Sequence, residues 1–205
     1  MRWWWFLCKA LIRIGGAALW QLRCMGVQNI PARGGVLLAS NHQSYLDPPL
    51  VASCLPREMH FMARRSLFRN PVFRALIVRC NAFAIERDAA DVKGVKQAIA
   101  RLEAGNILLV FPEGTRTRNG SVGPMKAGIG MLAERASVPV VPVLIDGAHR
   151  VWPRSGPPRP FGRIRIVFGR PIYPDTDPDS SVGDRVRDAI LDLKGERQGC
   201  RTESS

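Results

Sequence analysis

Three short apolar runs constrain the fold of this chain more than any other feature of its sequence. They occupy residues 36–39 (VLLA), 106–111 (NILLVF) and 138–145 (VPVVPVLI). Runs of this length predict strands that are covered on both faces of a sheet. Residues 89–104 instead carry apolar side chains at helical spacing and stop at Gly105, which predicts a helix between two strands. Strands that alternate with helices predict an α/β fold, in which a mixed, mostly buried β-sheet and its flanking helices form a single layered domain.

The remaining elements follow from turn residues and shorter patterns. Further strands are predicted at 58–63, 82–86 and 163–169, and further helices at 70–79, from Asp47, from near Met125 and at 182–193. Pro142 removes a backbone donor from the run at 138–145, so this strand is predicted to lie at a sheet edge or to contain a bulge. A chain of 205 residues is long enough for one domain with a sizeable core.

The segment 1–20 (MRWWWFLCKALIRIGGAALW) differs from the rest in being apolar and rich in tryptophan. Lys9 and Arg13 interrupt it, and each cation near the centre of a spanning helix costs about 3 kcal/mol. They are four residues apart, so on a helix they share one face and can snorkel together. Because tryptophan favours the headgroup region, the segment predicts a helix in the membrane interface. A signal peptide and a buried core helix are the alternatives.

The net charge of +13 predicts an anionic partner. Nucleic acid is one candidate, but the chain lacks aromatic-basic repeats and any helix-turn-helix or RNP signature, so no nucleic-acid partner is predicted. The cysteines are scattered, without a C-x-x-C pair, and are Cys8, Cys24, Cys54, Cys80 and Cys200. This spacing predicts neither a zinc site nor a disulfide framework, and it favours a reducing compartment.

The first stretch that indicates chemistry is SNHQSYLD at 40–47, directly after a predicted strand. His42 and Asp47 are five residues apart across a turn. Such a pair can act as a general base and the carboxylate that orients it. Alternatively, Asp47 caps the next helix and His42 satisfies a nearby carbonyl.

The second stretch is LLVFPEGTRTRNG at 108–120, where a buried strand runs into a loop with glycines and arginines. Glycine lets backbone amides approach a ligand closely, and the planar fork of arginine matches phosphate oxygens. Lys126 follows near a predicted helix N-terminus, where free amides favour anions. Ligands of α/β sheets bind at such strand ends, so the loop predicts a phosphate site.

Four blocks in this order, NHQSYLD, NAFAIER, FPEGTR and VPVVPVLIDG, resemble the motifs of glycerolipid acyltransferases. Within that group the chain is most similar to the 1-acyl-sn-glycerol-3-phosphate (lysophosphatidic acid) acyltransferases, over roughly residues 30–175. The resemblance implies transfer of a fatty acyl group from acyl-CoA or an acyl carrier protein (acyl-ACP) to lysophosphatidic acid, giving phosphatidic acid in phospholipid biosynthesis. Another lysophospholipid or a lyso-aminolipid is the alternative acceptor, and a catalytically inactive membrane scaffold is a further alternative.

The resemblance also implies roles for individual residues. His42 would be the base and Asp47 its partner, and the acceptor site would contain Arg87, Glu113, Gly114, Thr115 and Arg116. The fourth block, with Val140, Pro142 and Ile145, is implicated in acyl-chain or acceptor packing. We add Lys126 to the acceptor site on physical grounds.

One departure from the pattern lies in the second block, which usually opens with glycine. Here Asn81 takes that place. Asparagine is the best non-glycine residue at positive φ, so the turn is expected to persist. Ser44 lies close to His42 but is expected to make a turn hydrogen bond, because no G-x-S-x-G elbow is present to make it a nucleophile.

These patterns together predict the organisation of the chain. We expect a membrane-associated helix at 1–20, an acyltransferase domain at 21–195 and a polar tail at 196–205. No metal or nucleotide cofactor is predicted, because no matching motif spacing occurs. The predicted location is the cytoplasmic face of the inner membrane, where a monotopic or peripheral protein would contact an anionic surface.

Overall fold

The computed structural model describes residues 3–86, 91–174 and 181–202 and places the strands in one seven-stranded sheet. The strands are β1 (Arg23–Met25), β2 (Val36–Ser40), β3 (Met59–Arg64), β4 (Ala82–Ile85), β5 (Ile107–Val110), β6 (Val140–Asp146) and β7 (Arg165–Phe168). The α-helices are α1 (Trp3–Trp20), α2 (Asp47–Cys54), α3 (Pro71–Arg79), α4 (Val92–Glu103), α5 (Gly128–Ala136), α6 (Ala148–Val151) and α7 (Val182–Thr202). Short 3₁₀ turns occupy Val27–Asn29 and Arg65–Phe68.

The sheet is mixed, as the sequence predicts. Its order is β1-β7-β6-β2-β5-β3-β4, with β2 to β6 parallel to one another and β7 antiparallel to β6. The central strand β2 pairs with β5 in a register that sets Ala39 opposite Val110. Because parallel strands end at the same sheet edge, the loops that follow β2 and β5 meet there.

Both faces of the sheet are covered. Leu38 and Leu109 belong to a buried cluster with Leu50 of α2, and α1 packs on α2 over this first face. Leu37 and Leu108 belong to a second cluster, under α4, α5 and α7. The three apolar runs are therefore buried on both sides, which is why they lack the alternation of a half-exposed strand.

Helix caps explain where two of the predicted helices begin. The Asn70 side chain accepts a hydrogen bond from the backbone amide of Phe73 at 3.0 Å, with Pro71 as the first helical residue. Asp91 does the same for the amide of Gly94 at 2.8 Å, so α4 begins at Val92 rather than at residue 89. The sequence did not predict β1 and α6, which are only three and four residues long. The predicted tail at 196–205 is helical as far as Thr202.

Pro142 lies in an interior strand, so the bulge, rather than the edge, is the alternative that the structure contains. Val143 pairs with Phe168, whereas Val140 pairs with Ile172, so the two residues of β6 between these pairs face three of the opposite chain. The missing amide of Pro142 falls at this change of register, where the ladder is already interrupted.

The cysteine prediction was wrong for one pair. Cys24 of β1 and Cys54 of α2 form a disulfide, with their Cα atoms 6.0 Å apart, a normal separation for such a bond. They are 30 residues apart in sequence and meet only through the tertiary fold, because α2 covers the face near β1. Cys8 and Cys80 are not part of a disulfide.

The predicted N-terminal helix is present as α1, but its two cations do not point outward. Lys9 donates a hydrogen bond to the carbonyl oxygen of Leu55, and Arg13 donates to the sulfur of Cys54 at 3.3 Å. Both therefore bind the domain instead of snorkelling towards a headgroup layer. Among the described helices, none is long and apolar enough to cross a membrane.

Candidate active site

The histidine and aspartate of the first motif form a direct pair. Nδ1 of His42 lies 2.8 Å from Oδ2 of Asp47. The imidazole stacks on Phe111, with ring centroids 3.9 Å apart and an angle of 17° between the planes. Because the carboxylate can only accept, Nδ1–H of His42 donates this hydrogen bond. The lone pair of the neutral ring is then on Nε2, which no described group hydrogen-bonds. The ring is therefore oriented to accept a proton at Nε2.

Asp47 orients this turn and does not cap α2. Its Oδ2 also accepts hydrogen bonds from the backbone amides of Gln43 at 2.6 Å and Ser44 at 2.8 Å. The N-cap position of α2 is Leu46, without a side-chain cap, which removes the capping interpretation. Ser44 Oγ accepts a hydrogen bond from the amide of Leu46 at 3.3 Å, the turn role that the sequence predicted for it.

The loop after β5 is joined to this turn by two backbone contacts. The amide of Thr117 donates to the carbonyl of His42 at 2.8 Å, and the amide of His42 donates to Oε1 of Glu113 at 3.2 Å. Both contacts follow from the adjacent ends of β2 and β5. The two motifs that the sequence separates by about seventy residues thus form one site.

Glu113 supports this arrangement from inside the protein. Burial raises the pKa of Glu113 to about 7, against the hydrogen bonds donated by the amides of His42 and Gly123, and the charge of Asp47 adds to the rise. Its two oxygens face backbone donors of both loops. Glu113 therefore lies against the loop backbones on either side of it, and its acceptor-binding role stays a prediction.

The raised pKa of Glu113 has a measurable consequence for stability. The folded chain retains this proton up to about pH 7, whereas the unfolded chain loses it near 4.5, so the native state loses stability between these values as the pH rises. The Glu113→Gln variant cannot titrate here and should lose less stability across this window. Urea unfolding at several pH values would measure the difference, with exposed Glu103→Gln as the matched control. Parallel profiles for Glu113→Gln and wild type would contradict the assignment.

Glycine is required at one position of the loop. Gly114 has φ +70°, and Nζ of Lys126 lies 3.2 Å from the point that a Cβ atom at Gly114 would occupy. The ammonium group therefore lies over the backbone of the loop. The amide of Lys126 is held by the carbonyl of Pro112 at 3.1 Å, and α5 starts two residues later at Gly128.

An arginine cluster lies at the outer side of the loop. The guanidinium carbon of Arg116 is 3.6 Å from the ring centroid of Tyr45, and Tyr45 contacts Trp152 edge-on at 5.8 Å. Nη1 of Arg154 donates to Oγ1 of Thr115 at 3.1 Å and to the carbonyl of Arg116 at 3.4 Å. Sequence reasoning identified Arg116 and Thr115 but missed the other three. Tyr45 was inside a quoted motif, whereas Trp152 and Arg154 had no signal beyond a Pro/Arg-rich loop.

Two buried amide side chains fix the turn to the neighbouring strand and loop. Asn41 donates to the carbonyl of Ile145 at 2.8 Å and accepts from its amide at 2.7 Å. Gln43, which is 2% exposed, accepts from the amide of His149 at 3.3 Å and donates to the carbonyl of Gly120 at 3.5 Å. The residues on both sides of His42 are therefore held in place.

The remaining predicted site residues lie elsewhere. Val140 and Ile145 are 0% exposed and belong to different core clusters, on opposite faces of the sheet. They are not brought together with Pro142 on one surface, and their acyl-binding role stays a prediction. Arg87 lies outside the described residues. Asn81 has φ +64°, so the positive-φ turn expected of it is confirmed.

This geometry provides a base and a cationic loop but no preformed metal cage. Among the side chains that the structure describes, no three His, Cys, Asp or Glu residues lie close enough to hold a metal ion. A hydroxyl placed at Nε2 of His42 could be deprotonated while a nearby anion is held by Arg116 or Lys126. The arrangement is suited to transfer onto a hydroxyl of an anionic acceptor.

Comparison with known proteins identifies the family of the chain. Residues 21–146 match the Acyltransferase family. The 1-acyl-sn-glycerol-3-phosphate acyltransferase of Bacillus subtilis (strain 168) is 30% identical over 148 residues, which cover 71% of each chain. The enzyme of the same name from Limnanthes douglasii is 30% identical over 86% of this chain and 63% of its own length. The chain spans half the length of the chloroplastic relative BAT2 of Brassica napus, at 27% identity.

A solved structure supports the fold. The 1-acyl-sn-glycerophosphate acyltransferase PlsC of Thermotoga maritima superposes with a TM-score of 0.78, covering 94% of this chain and 80% of its own. At 24% identity this likeness concerns the architecture. The family match covers more than half of the chain. The protein belongs to the acyltransferase family.

Proposed function

We propose that this protein transfers a fatty acyl group from an acyl thioester to the free hydroxyl of lysophosphatidic acid, giving phosphatidic acid. The observation that carries the proposal is the 2.8 Å contact between His42 and Asp47 beside a loop that bears Arg116. The names of the similar enzymes support the same acceptor. Acyl-CoA and acyl-ACP both suit a basic protein, because both donors are anionic.

The proposed reaction is one direct transfer. Nε2 of His42 takes the proton of the acceptor hydroxyl as the oxygen attacks the thioester carbonyl. A C–O bond forms, the C–S bond breaks, and the proton passes from the imidazolium to the leaving thiolate. Asp47 holds the ring and stabilises its charged form. The proposal calls for no metal and no cofactor beyond the thioester.

The phosphate of the acceptor would be held by the cationic loop. Arg116 supplies a planar guanidinium, and Lys126 supplies an ammonium group over Gly114. Fixing the phosphate leaves the hydroxyl only one orientation towards His42. Such positioning lowers the entropic cost of bringing the hydroxyl and the base together. Arg87 remains part of this proposed set from the resemblance alone.

The test is product formation by the purified protein. Lysophosphatidic acid is supplied with acyl-CoA and, separately, with acyl-ACP, and the products are identified by mass spectrometry. We expect phosphatidic acid. A lyso-aminolipid and lysophosphatidylcholine are supplied in parallel, and preferential acylation of either would support the alternative acceptor instead.

We further propose that α1 docks on an anionic lipid surface. Leu7, Leu11 and Ile14 follow the spacing of one helix face and are 51%, 60% and 66% exposed. With Lys9 and Arg13 bound to the domain, the outward face of α1 is apolar. Exposing an apolar stripe of this kind to water is unfavourable. Burial of the stripe in the headgroup region of a membrane removes that cost.

The basic helix α3 extends this surface. Val72 and Leu76 are 79% and 57% exposed, and Arg69, Arg74 and Arg79 interleave with them. The β3–α3–β4 crossover should be right-handed, like that through α2, so both helices lie on one face of the sheet. Phe61 packs against the clusters under both helices. Since α1 lies over α2, the two exposed apolar stripes share that face.

A double substitution tests the docking surface. Leu11→Glu with Ile14→Glu should weaken binding to vesicles of mixed neutral and anionic lipids by about tenfold or more, because each side chain loses its apolar burial and adds a repelled charge. Co-sedimentation with vesicles measures it. Val92→Glu is the matched control, since Val92 is 60% exposed on α4, across the sheet. Unchanged binding of the double variant would contradict this docking face.

A further inference from the structure

Arg154 lies in the loop after α6, far in sequence from both motifs, yet it contacts the motif loop directly. Its Nη1 bonds Oγ1 of Thr115 at 3.1 Å and the carbonyl of Arg116 at 3.4 Å. Both contacts use a single nitrogen of the guanidinium. The group is exposed, and its Nε and Nη2 donors have no partner among the described residues.

Arg116 also has a donor without a partner among the described residues. This donor is Nη1, which is buried, and the guanidinium carbon lies 3.6 Å from the ring centroid of Tyr45. Within the described part of the chain, neither Arg116 nor Arg154 forms an ion pair with a carboxylate. Arg154 reaches the main-chain carbonyl of Arg116, and an unpaired buried donor carries a desolvation cost.

An anion bound by both arginines would neutralise charges that no described carboxylate pairs. A phosphomonoester carries between one and two negative charges and several strong acceptor oxygens. Arginine forks match this geometry in pairs of parallel hydrogen bonds. The contact to Thr115 and Arg116 also holds Arg154 beside the loop before any ligand arrives, which lowers the entropy lost on binding.

We propose that Arg154 is a second phosphate-binding residue of the acceptor site and contacts the phosphomonoester together with Arg116. The assignment rests on the proposed function for the identity of the acceptor. It adds a residue from outside the four motifs, at a position that contacts Thr115 and the carbonyl of Arg116. Its ligand is the acceptor phosphate rather than the phosphates of the acyl donor.

The Arg154→Gln variant distinguishes phosphate binding by Arg154 from a purely structural role in holding the loop. Glutamine keeps an amide donor for Thr115 but removes the charge. We expect KM for lysophosphatidic acid to rise about 10- to 100-fold, with kcat and KM for the acyl donor nearly unchanged. Arg159→Gln, an exposed arginine of the same loop, is the charge-matched control and should behave as wild type.

Each other outcome overturns the assignment. An unchanged KM for lysophosphatidic acid would show that Arg154 only supports the loop. A rise in KM for the acyl donor alone would place the residue at the donor phosphates. An equal rise in KM in Arg159→Gln would show that any loss of positive charge from this loop weakens acceptor binding.

A binding measurement keeps the two proposals distinguishable. If wild type acylates no lysophosphatidic acid, the proposed function fails, and Arg154 is then tested with sn-glycerol 3-phosphate by calorimetry. Binding that is lost in Arg154→Gln and retained in Arg159→Gln supports the phosphate site. Absence of binding to wild type, or equal binding by all three proteins, overturns it.

Discussion

Replacing His42 with alanine is expected to lower kcat by about 10²- to 10⁴-fold, the usual contribution of a positioned general base. Of the other two described histidines, His60 is on β3, and Nδ1 of His149 lies 3.4 Å from Oε1 of Gln43; neither contacts Asp47. The substitution leaves the loop of Arg116 in place, so KM for the acceptor should change little. Steady-state kinetics with saturating donor would measure both constants.

His60→Ala is the matched control for this experiment. It removes an imidazole from β3, outside the site, and should retain wild-type kcat. Vesicle binding should survive His42→Ala, since α1 and α3 are untouched. A kcat within a few-fold of wild type in His42→Ala would refute the assignment of the base.

Replacing Asp47 is expected to affect activity and stability together. Its side chain is 0% exposed, and one oxygen accepts hydrogen bonds from His42, Gln43 and Ser44. Asp47→Ala leaves two buried amides without an acceptor, at about 1–3 kcal/mol each. The free energy of unfolding should therefore fall by about 2–6 kcal/mol, and activity should fall as far as in His42→Ala.

Asp47→Asn separates these two effects. The carbonyl oxygen of asparagine can still accept from the amides of Gln43 and Ser44, so most of the stability should remain. The negative charge that stabilises the imidazolium is lost, so kcat should stay low. Urea unfolding and kinetics on both variants measure this difference. Equal losses of stability in the two variants, or wild-type kcat in Asp47→Asn, would contradict the role given to Asp47.

Much of the fold was predictable because the strands are short and buried on both faces. The runs at β2, β5 and β6 need no tertiary information to be identified as strands, and parallel pairing then brings the loops after β2 and β5 together. The family resemblance assigned His42 and Glu113 to one site, and this pairing is the physical reason that they lie together there. The short β1 and α6 escaped prediction because three or four residues carry no periodicity.

The contacts that required the structure join distant parts of the chain. Arg154 meets Thr115 across 39 residues, and Cys24 meets Cys54 across 30. The raised pKa of Glu113 is a consequence of burial, which a loop sequence rich in polar residues does not indicate. The inward direction of Lys9 and Arg13 likewise depends on where α1 packs, since the helical pattern fixes only that they share a face.

The central claim is that His42 and the loop of Arg116 act as one site on a phosphate-bearing acceptor. The most direct measurement compares kcat/KM of the purified protein for lysophosphatidic acid and for 1-acylglycerol with the same chain, which lacks only the phosphate. Loss of the charge-assisted contacts predicts a preference for lysophosphatidic acid of about 100-fold or more. Equal kcat/KM values for the two acceptors would contradict the account.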